Sequence, residues 1–232
     1  MKKSTVIKRL NLDEKKLETI ALAVTKAETK TTGEIALAAT DESSDYSFFE
    51  LLAAVIFGAL VFSILLPFHG NFSALLDRIT WVSVPWHLSA FYGIISFSAI
   101  ALFFLIANIP AIDRIIVPHF YRSKAVYRRA LRHFVESGVY ATSKRTGILI
   151  FISVLEKEVR IIADSGISTR IEQKEWDSLA GHLAKGIQAG TTEKDLIEVI
   201  ERCGKLLTEH FPATDDNPNE LSDGLVILEG GE

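Results

Sequence analysis

Two carboxylates and two hydroxyls stand where short apolar runs begin or end. Glu34 follows Thr31-Thr32-Gly33, Thr146 precedes Gly147, and Asp164-Ser165-Gly166 closes another run. A hard cation such as Ca²⁺ or Mg²⁺ takes oxygen ligands, and Glu34 and Asp164 with hydroxyls from Thr146 or Ser165 would supply them. The backbone N–H groups of Ser165-Gly166-Ile167 would suit an anion nest. The plainer reading stays open beside it, with Glu34 and Asp164 as solvated carboxylates at strand ends and the glycines as turn formers. Other chemistry has less support. The histidines His69, His87, His119, His133, His182 and His210 show no metal-type pair spacing, and no glycine-rich phosphate loop of the Walker kind is present. Cys203 is the only cysteine, so a disulfide within the chain is excluded, and its apolar helical setting reads as an inert core thiol.

These residues need strands to carry them. Glu34 to Thr40 is a short, mostly apolar strand of the type buried on both faces. Gly147 to Ser153 is a β-branched and aromatic run opened by glycine, and Val159 to Asp164 follows after a short charged turn, as an antiparallel hairpin would. Leu225 to Leu228 is an edge-strand candidate after the turn-rich Asp215 to Pro218. Helical spacing marks Leu17 to Ala27, with Asn11 and Glu14 as a capping box, then about Ser123 to Ser137, the segment through Trp176 and Ile187, and a last helix capped by Thr192. The first strand, a helix and then Gly147 to Ser153 form the pattern of a parallel β-α-β unit, which brings the starts of both strands and Asp164 to one sheet edge.

Inside that crossover lie two long apolar runs, Phe48 to Phe68 and Leu88 to Ile112, with Glu50 their only charge. Each exceeds the roughly 20 residues that cross a hydrocarbon core, and neither has the polar stripe of a soluble helix. They read as a transmembrane hairpin inserted into one domain, with 1–47 and 113–232 folding together around it. Glu50, so near an end, is expected to reach the interface. Basic residues Lys2, Lys3, Lys8, Arg9, Lys26 and Lys30 precede the hairpin, and Arg114, Arg122, Lys124, Arg128, Arg129 and Arg132 follow it. Between the runs only Arg78 is basic, so the positive-inside rule predicts both termini and the folded domain in the cytoplasm, with the loop His69 to His87 on the far side. Trp81, Trp86, Phe91 and Tyr92 suit interfacial aromatics. Asp113 to Tyr121 suits the headgroup level. No cleavable secretion signal is expected, since Met1 to Lys30 is charged and amphipathic. Over 232 residues the net charge is -4, which argues against a nucleic-acid partner.

The chain resembles the TPM domain family, named for proteins of the thylakoid lumen, photosystem II repair and receptor-modulating membrane proteins. The resemblance rests on Ala27-Glu28 with Thr31-Thr32-Gly33-Glu34-Ile35, on Tyr140-Ala141-Thr142 with Arg145-Thr146-Gly147-Ile148-Leu149-Ile150, and on Glu156, Val159, Ile161 and Ala163-Asp164 with Gly166-Ile167. Trp176, His210-Phe211-Pro212 and Asn219-Glu220-Leu221-Ser222-Asp223 complete it. It implies an α/β fold, a three-layer α/β/α sandwich with a small mixed sheet, here interrupted by the hairpin. By position, it implies that Asp164, Glu34, Glu220 and Asp223 are the acidic candidates for a Ca²⁺ or Mg²⁺ site. Some relatives are described as acid-phosphatase-like, others as assembly, repair or modulating factors of membrane complexes. Two readings follow. The favoured one is a multi-pass protein of the cell's inner, cytoplasmic membrane, acting as a binding, assembly or modulating module, with the lipid bilayer and another membrane protein as partners. The alternative is a metal-dependent, acid-phosphatase-like hydrolase. One departure stands out: many relatives hold the domain outside the cytoplasm.

Overall fold

The computed structural model describes residues 2–80, 84–213 and 218–231. Trp81 and Asp215 to Asn217 lie outside the described residues. The chain divides into two compact units, one of Met1–Asp45 with His119–Glu232 and one of Tyr46–Pro118.

The first unit is built on four strands, β1 (Glu34–Thr40), β2 (Gly147–Ser153), β3 (Glu158–Ala163) and β4 (Leu225–Leu228), in the spatial order β3-β2-β1-β4. β1 and β2 are parallel, with Glu34 opposite Gly147 and Ile35 opposite Ile148. β4 is parallel to β1 from Leu37 onward, and β3 runs antiparallel to β2, so the sheet is mixed. Alternation along the strands sends successive side chains to opposite faces. Ile35, Leu37, Ala39, Ile148, Ile150 and Ile152 face one core with helices α2 (Glu14–Glu28), α9 (Gln173–Ala189) and α10 (Thr192–His210), whose Ile20, Val24, Trp176, Leu183, Val199 and Leu207 fill it. Ala38, Leu149 and Phe151 face a second core with Val126, Ala130 and Phe134 of α7 (His119–Glu136). A strand buried on both faces must be apolar at every position, which is why β2 reads as one unbroken run. Helix α1 (Lys2–Arg9) adds Val6 to the first core, and Arg9 pairs with Asp41 just beyond β1. Cys203 is fully buried there, and burial pushes its thiol up to about 12, so it is inert.

Where the chain leaves β1 it is held by a buried polar network. The Ser43 amide donates to Glu156 Oε1 at 3.0 Å, the Ser43 and Ser153 hydroxyls share a hydrogen bond at 2.6 Å, and the Ser153 hydroxyl donates to Glu156 Oε2 at 2.5 Å. A fully satisfied buried network of this kind specifies one path for the chain.

The second unit holds α3 (Ser47–Leu65), α4 (His69–Ile79), α5 (His87–Ala107) and α6 (Pro110–Ile116), with a 3₁₀ turn at Leu66–Phe68 joining the first two. The helical stretches Ser47–Ile79 and His87–Ala107 are long and apolar enough to cross a membrane, and only 11% of each apolar window is buried. α3 and α5 pack together at Gly58, where a Cβ would run into Ile100, and through Phe57 stacked on Phe103 at 4.8 Å.

Several local expectations change. The first long helix is capped by Asp13, whose carboxylate accepts from the Lys16 amide; Asn11 sits instead at φ 55° in the turn after α1. Residue Thr191 precedes α10 and Thr192 lies inside it. The segment His69 to Ile79 is helical rather than loop, because nothing after Pro67 breaks it before Thr80. The second apolar helix ends at Ala107, ahead of Pro110. Tyr92 is buried, and its hydroxyl donates to the Leu65 carbonyl at 3.4 Å. Glu50 is buried as well, at 5% exposure, within the unit of α3 to α6.

Candidate functional site

β4 begins opposite Leu37, so the amide of Ile35 has no neighbouring strand on that side. The carboxylate of Glu28, at the last residue of α2, takes its place: Oε1 accepts from the Ile35 N–H at 2.7 Å. Glu34, the next carboxylate, accepts from the backbone N–H groups of Glu220 and Leu221 at 3.3 Å each. That contact fastens the segment before β4 over the open sheet edge. Asp223 is held on the same edge by the Thr25 hydroxyl and by the Asn219 amide at 2.7 Å. Thr25, Glu28, Thr29, Glu34 and Asn219 line a small recess of about 120 Å³.

The electrostatics of this recess are unusual. Glu28 is 7% exposed and Glu34 2% exposed. Burial pushes the Glu28 carboxyl up to about 8 against the Ile35 hydrogen bond, and the nearby charges of Glu34 and Asp223 push the same way. Glu34 is raised first by burial, with its two amide donors opposing and Glu220 and Asp223 adding to the rise. Burial first, and the neighbouring carboxylates after it, therefore keep a proton on Glu28 near neutral pH. Such a set either holds a proton or trades it for a cation whose charge relieves the repulsion.

Of the residues the sequence singled out, the fold brings Glu34, Glu220 and Asp223 together. Glu220 contributes mainly through its backbone, since its carboxylate accepts from Ser143 at 2.9 Å (amide) and 2.6 Å (hydroxyl). Asp164 stands apart. It lies opposite Gly147, as Glu34 does on the other side, so about two strand spacings (~10 Å) separate their backbones. A Cβ on Gly147 would meet the Val139 carbonyl, which means the backbone of Val139 lies over the strand between them. Asp164 caps the short helix α8 (Ser165–Ser168), accepting from the Ser165 amide at 2.5 Å and its hydroxyl at 2.9 Å. The amide of Ile167 donates to the Asp164 carbonyl, so two of the three N–H groups of the expected anion nest are already used. Thr146 is likewise occupied, its hydroxyl donating to the Thr32 carbonyl at 2.7 Å.

Glu28 was not among the sequence's acidic candidates. At a helix C-terminus a glutamate looks like ordinary surface, and nothing in its spacing tells that it substitutes for a missing strand. The signal available was the run Ala27-Glu28 to Glu34-Ile35, five residues between two carboxylates across a tight turn.

No family model matches the chain, and no curated protein does. The NMR structure of the BA42 protein from the psychrophilic bacterium Bizionia argentinensis is similar over 94% of this chain and 95% of its own, with a TM-score of 0.54 and 16% sequence identity. At that identity the likeness concerns the fold.

Proposed function

We propose that the chain is a TPM-like α/β protein anchored in the inner membrane by its apolar hairpin, serving as a binding, assembly or modulating module for a membrane complex, with a Ca²⁺ or Mg²⁺ ion held at its acidic edge. The observation that carries this reading is the outward apolar surface of α3 and α5, with Phe97 at 75% and Leu105 at 70% exposure. Water would not tolerate so continuous an apolar surface, whereas a bilayer is its natural solvent. The distribution of lysine and arginine supports both termini in the cytoplasm. Glu28, Glu34 and Asp223 are the carboxylates that would meet the ion, and Asn219 offers an amide oxygen. Asp164 and Glu220 are left to cap α8 and to hold Ser143.

One observation favours the hydrolase as second reading. A carboxyl that keeps its proton near neutral pH, as Glu28 does, is suited to protonate a leaving oxygen beside a metal-bound phosphoryl group. The two readings separate on the full chain in lipid nanodiscs. Calorimetric titration with Ca²⁺ and Mg²⁺ should show one ion bound in the wild type and lost in Glu34→Gln. Under the module reading p-nitrophenyl phosphate is not turned over with or without metal, and a membrane protein co-purifies. Metal-dependent turnover that Glu28→Gln abolishes would decide for the hydrolase.

A further inference from the structure

Helices α9 and α10 form a hairpin closed by Gly190, in the left-handed region at φ 78°, and by the Thr191 amide donating to the Gly186 carbonyl. On this hairpin His182 meets Asp195 and Glu198, the latter two at successive positions three apart on one face of α10. From these residues we infer a second cation site, for a transition ion of the Zn²⁺ class, with His182 Nε2 and the carboxylates of Asp195 and Glu198 as ligands.

The geometry is that of ligands around an ion rather than of an ion pair. His182 Nε2 stands 3.4 Å from Asp195 Oδ1 and 3.4 Å from Glu198 Oε2. A charge-assisted N–H···O bond would be about 2.7–2.9 Å, and Nε2 makes none. Ligand atoms about 2.0–2.1 Å from a tetrahedral zinc lie about 3.3–3.4 Å from one another. All three ligand atoms lie within 4.8 Å of each other. One of these atoms is also hidden and unmet: Nε2 of His182 is buried without a hydrogen-bond partner, as is Oδ2, the second carboxylate oxygen of Asp195. Buried polar atoms normally find partners, so a pair left without them calls for one. Room for the carboxylate comes from Gly186, one turn after His182, because a Cβ there would run into Asp195.

The chemistry of the donors selects the ion. Imidazole with two carboxylates suits zinc and its neighbours, whereas Ca²⁺ and Mg²⁺ prefer oxygen alone. The side chains of His182 and Glu198 are 37% and 44% exposed, so solvent lies beside the site and a fourth position is left for a water of the bound ion. An ion there would tie α9 to α10. The site lies on different elements from the recess of Glu28 and Glu34, and it does not depend on that recess binding anything.

The full chain, purified in detergent with any affinity tag removed and metal stripped by chelator, is titrated with Co²⁺ and then Zn²⁺. One Co²⁺ should bind with the visible ligand-field band of a tetrahedral ion, be displaced by Zn²⁺, and raise the melting temperature. Affinity should fall at least tenfold in His182→Ala and in Glu198→Gln; the second variant alters a half-exposed side chain and so keeps the fold. Glu34→Gln should leave Zn²⁺ binding unchanged, which separates this site from the acidic edge. Equal Zn²⁺ affinity in the wild type and in both variants, or a Co²⁺ spectrum without the tetrahedral band, would reduce the cluster to an ion pair and overturn the inference.

Discussion

The two units of this protein use the same kinds of side chain in opposite ways. In the α/β unit Phe151, Ile148, Ile150 and Trp176 are almost wholly buried. In the unit of α3 to α6, Phe97, Leu102, Leu105 and Ile94 point outward. The first arrangement hides apolar surface from water by folding, and the second leaves it uncovered by the protein's own side chains. What distinguishes them is whether the protein covers its own apolar face, and the uncovered faces belong to the runs that carry no polar stripe.

The contrast can be broken by matched substitutions. Phe151→Ala removes a side chain with a core on its face and should destabilise the α/β unit by about 3–5 kcal/mol, read by denaturant unfolding followed by Trp176 fluorescence in a background where Trp81 and Trp86 are Phe. Phe97→Ala on α5 should shift the same transition by no more than about 0.5 kcal/mol. If both act alike, the outward face of α5 is a buried face in disguise. Phe97→Arg tests the medium itself, since a central arginine costs about 2.5–3.5 kcal/mol in insertion assays; undiminished membrane insertion would tell against a span. A smaller effect is expected from the carboxyl of Glu28. Its folded value of about 8 lies above the ordinary 4.5, so its contribution to stability is full below the lower value and is lost as pH rises through about 8. Glu28→Gln should therefore flatten the pH dependence between those limits and leave the variant more stable than the wild type at pH 9, by the order of a few kcal/mol. Ion binding at the recess should strengthen over the same range as the proton leaves. The orientation gives the smallest but cleanest signal. With Cys203 buried and unreactive, Asn71→Cys should label from the outside with an impermeant maleimide, and Glu201→Cys should not.

Much of the fold was legible because its signals are local. Glycine before a β-branched run marked β2, the short charged turn marked the hairpin into β3, and the unbroken apolar runs marked α3 and α5. Even the parallel pairing of β1 with β2 follows once an apolar strand, a helix and a second apolar strand stand in order, whereas the register came from the structure. The cap at Asp13 was misplaced by two residues because Asn11 has an equally suitable side chain, and Thr192 caps nothing because α10 already begins at it, while the Thr191 hydroxyl before it donates to the Gly186 carbonyl. The helical character of His69 to Ile79 was hidden by its glycine and polar residues.

The sites divide along the same line. Sequence alone determined that Glu34 would stand at a sheet edge, because strand starts are written in neighbouring residues. Tertiary structure decided its company. β4 begins two residues too late to pair with Ile35, so Glu28 enters the recess, while the backbone of Val139 over Gly147 keeps Asp164 out. His182 looked solitary because its partners lie on the next helix, beyond a turn whose angle no spacing rule encodes. Propensity acts over a few residues, but the charge a group feels and the ligands it meets come from whatever packing brings within a few ångströms.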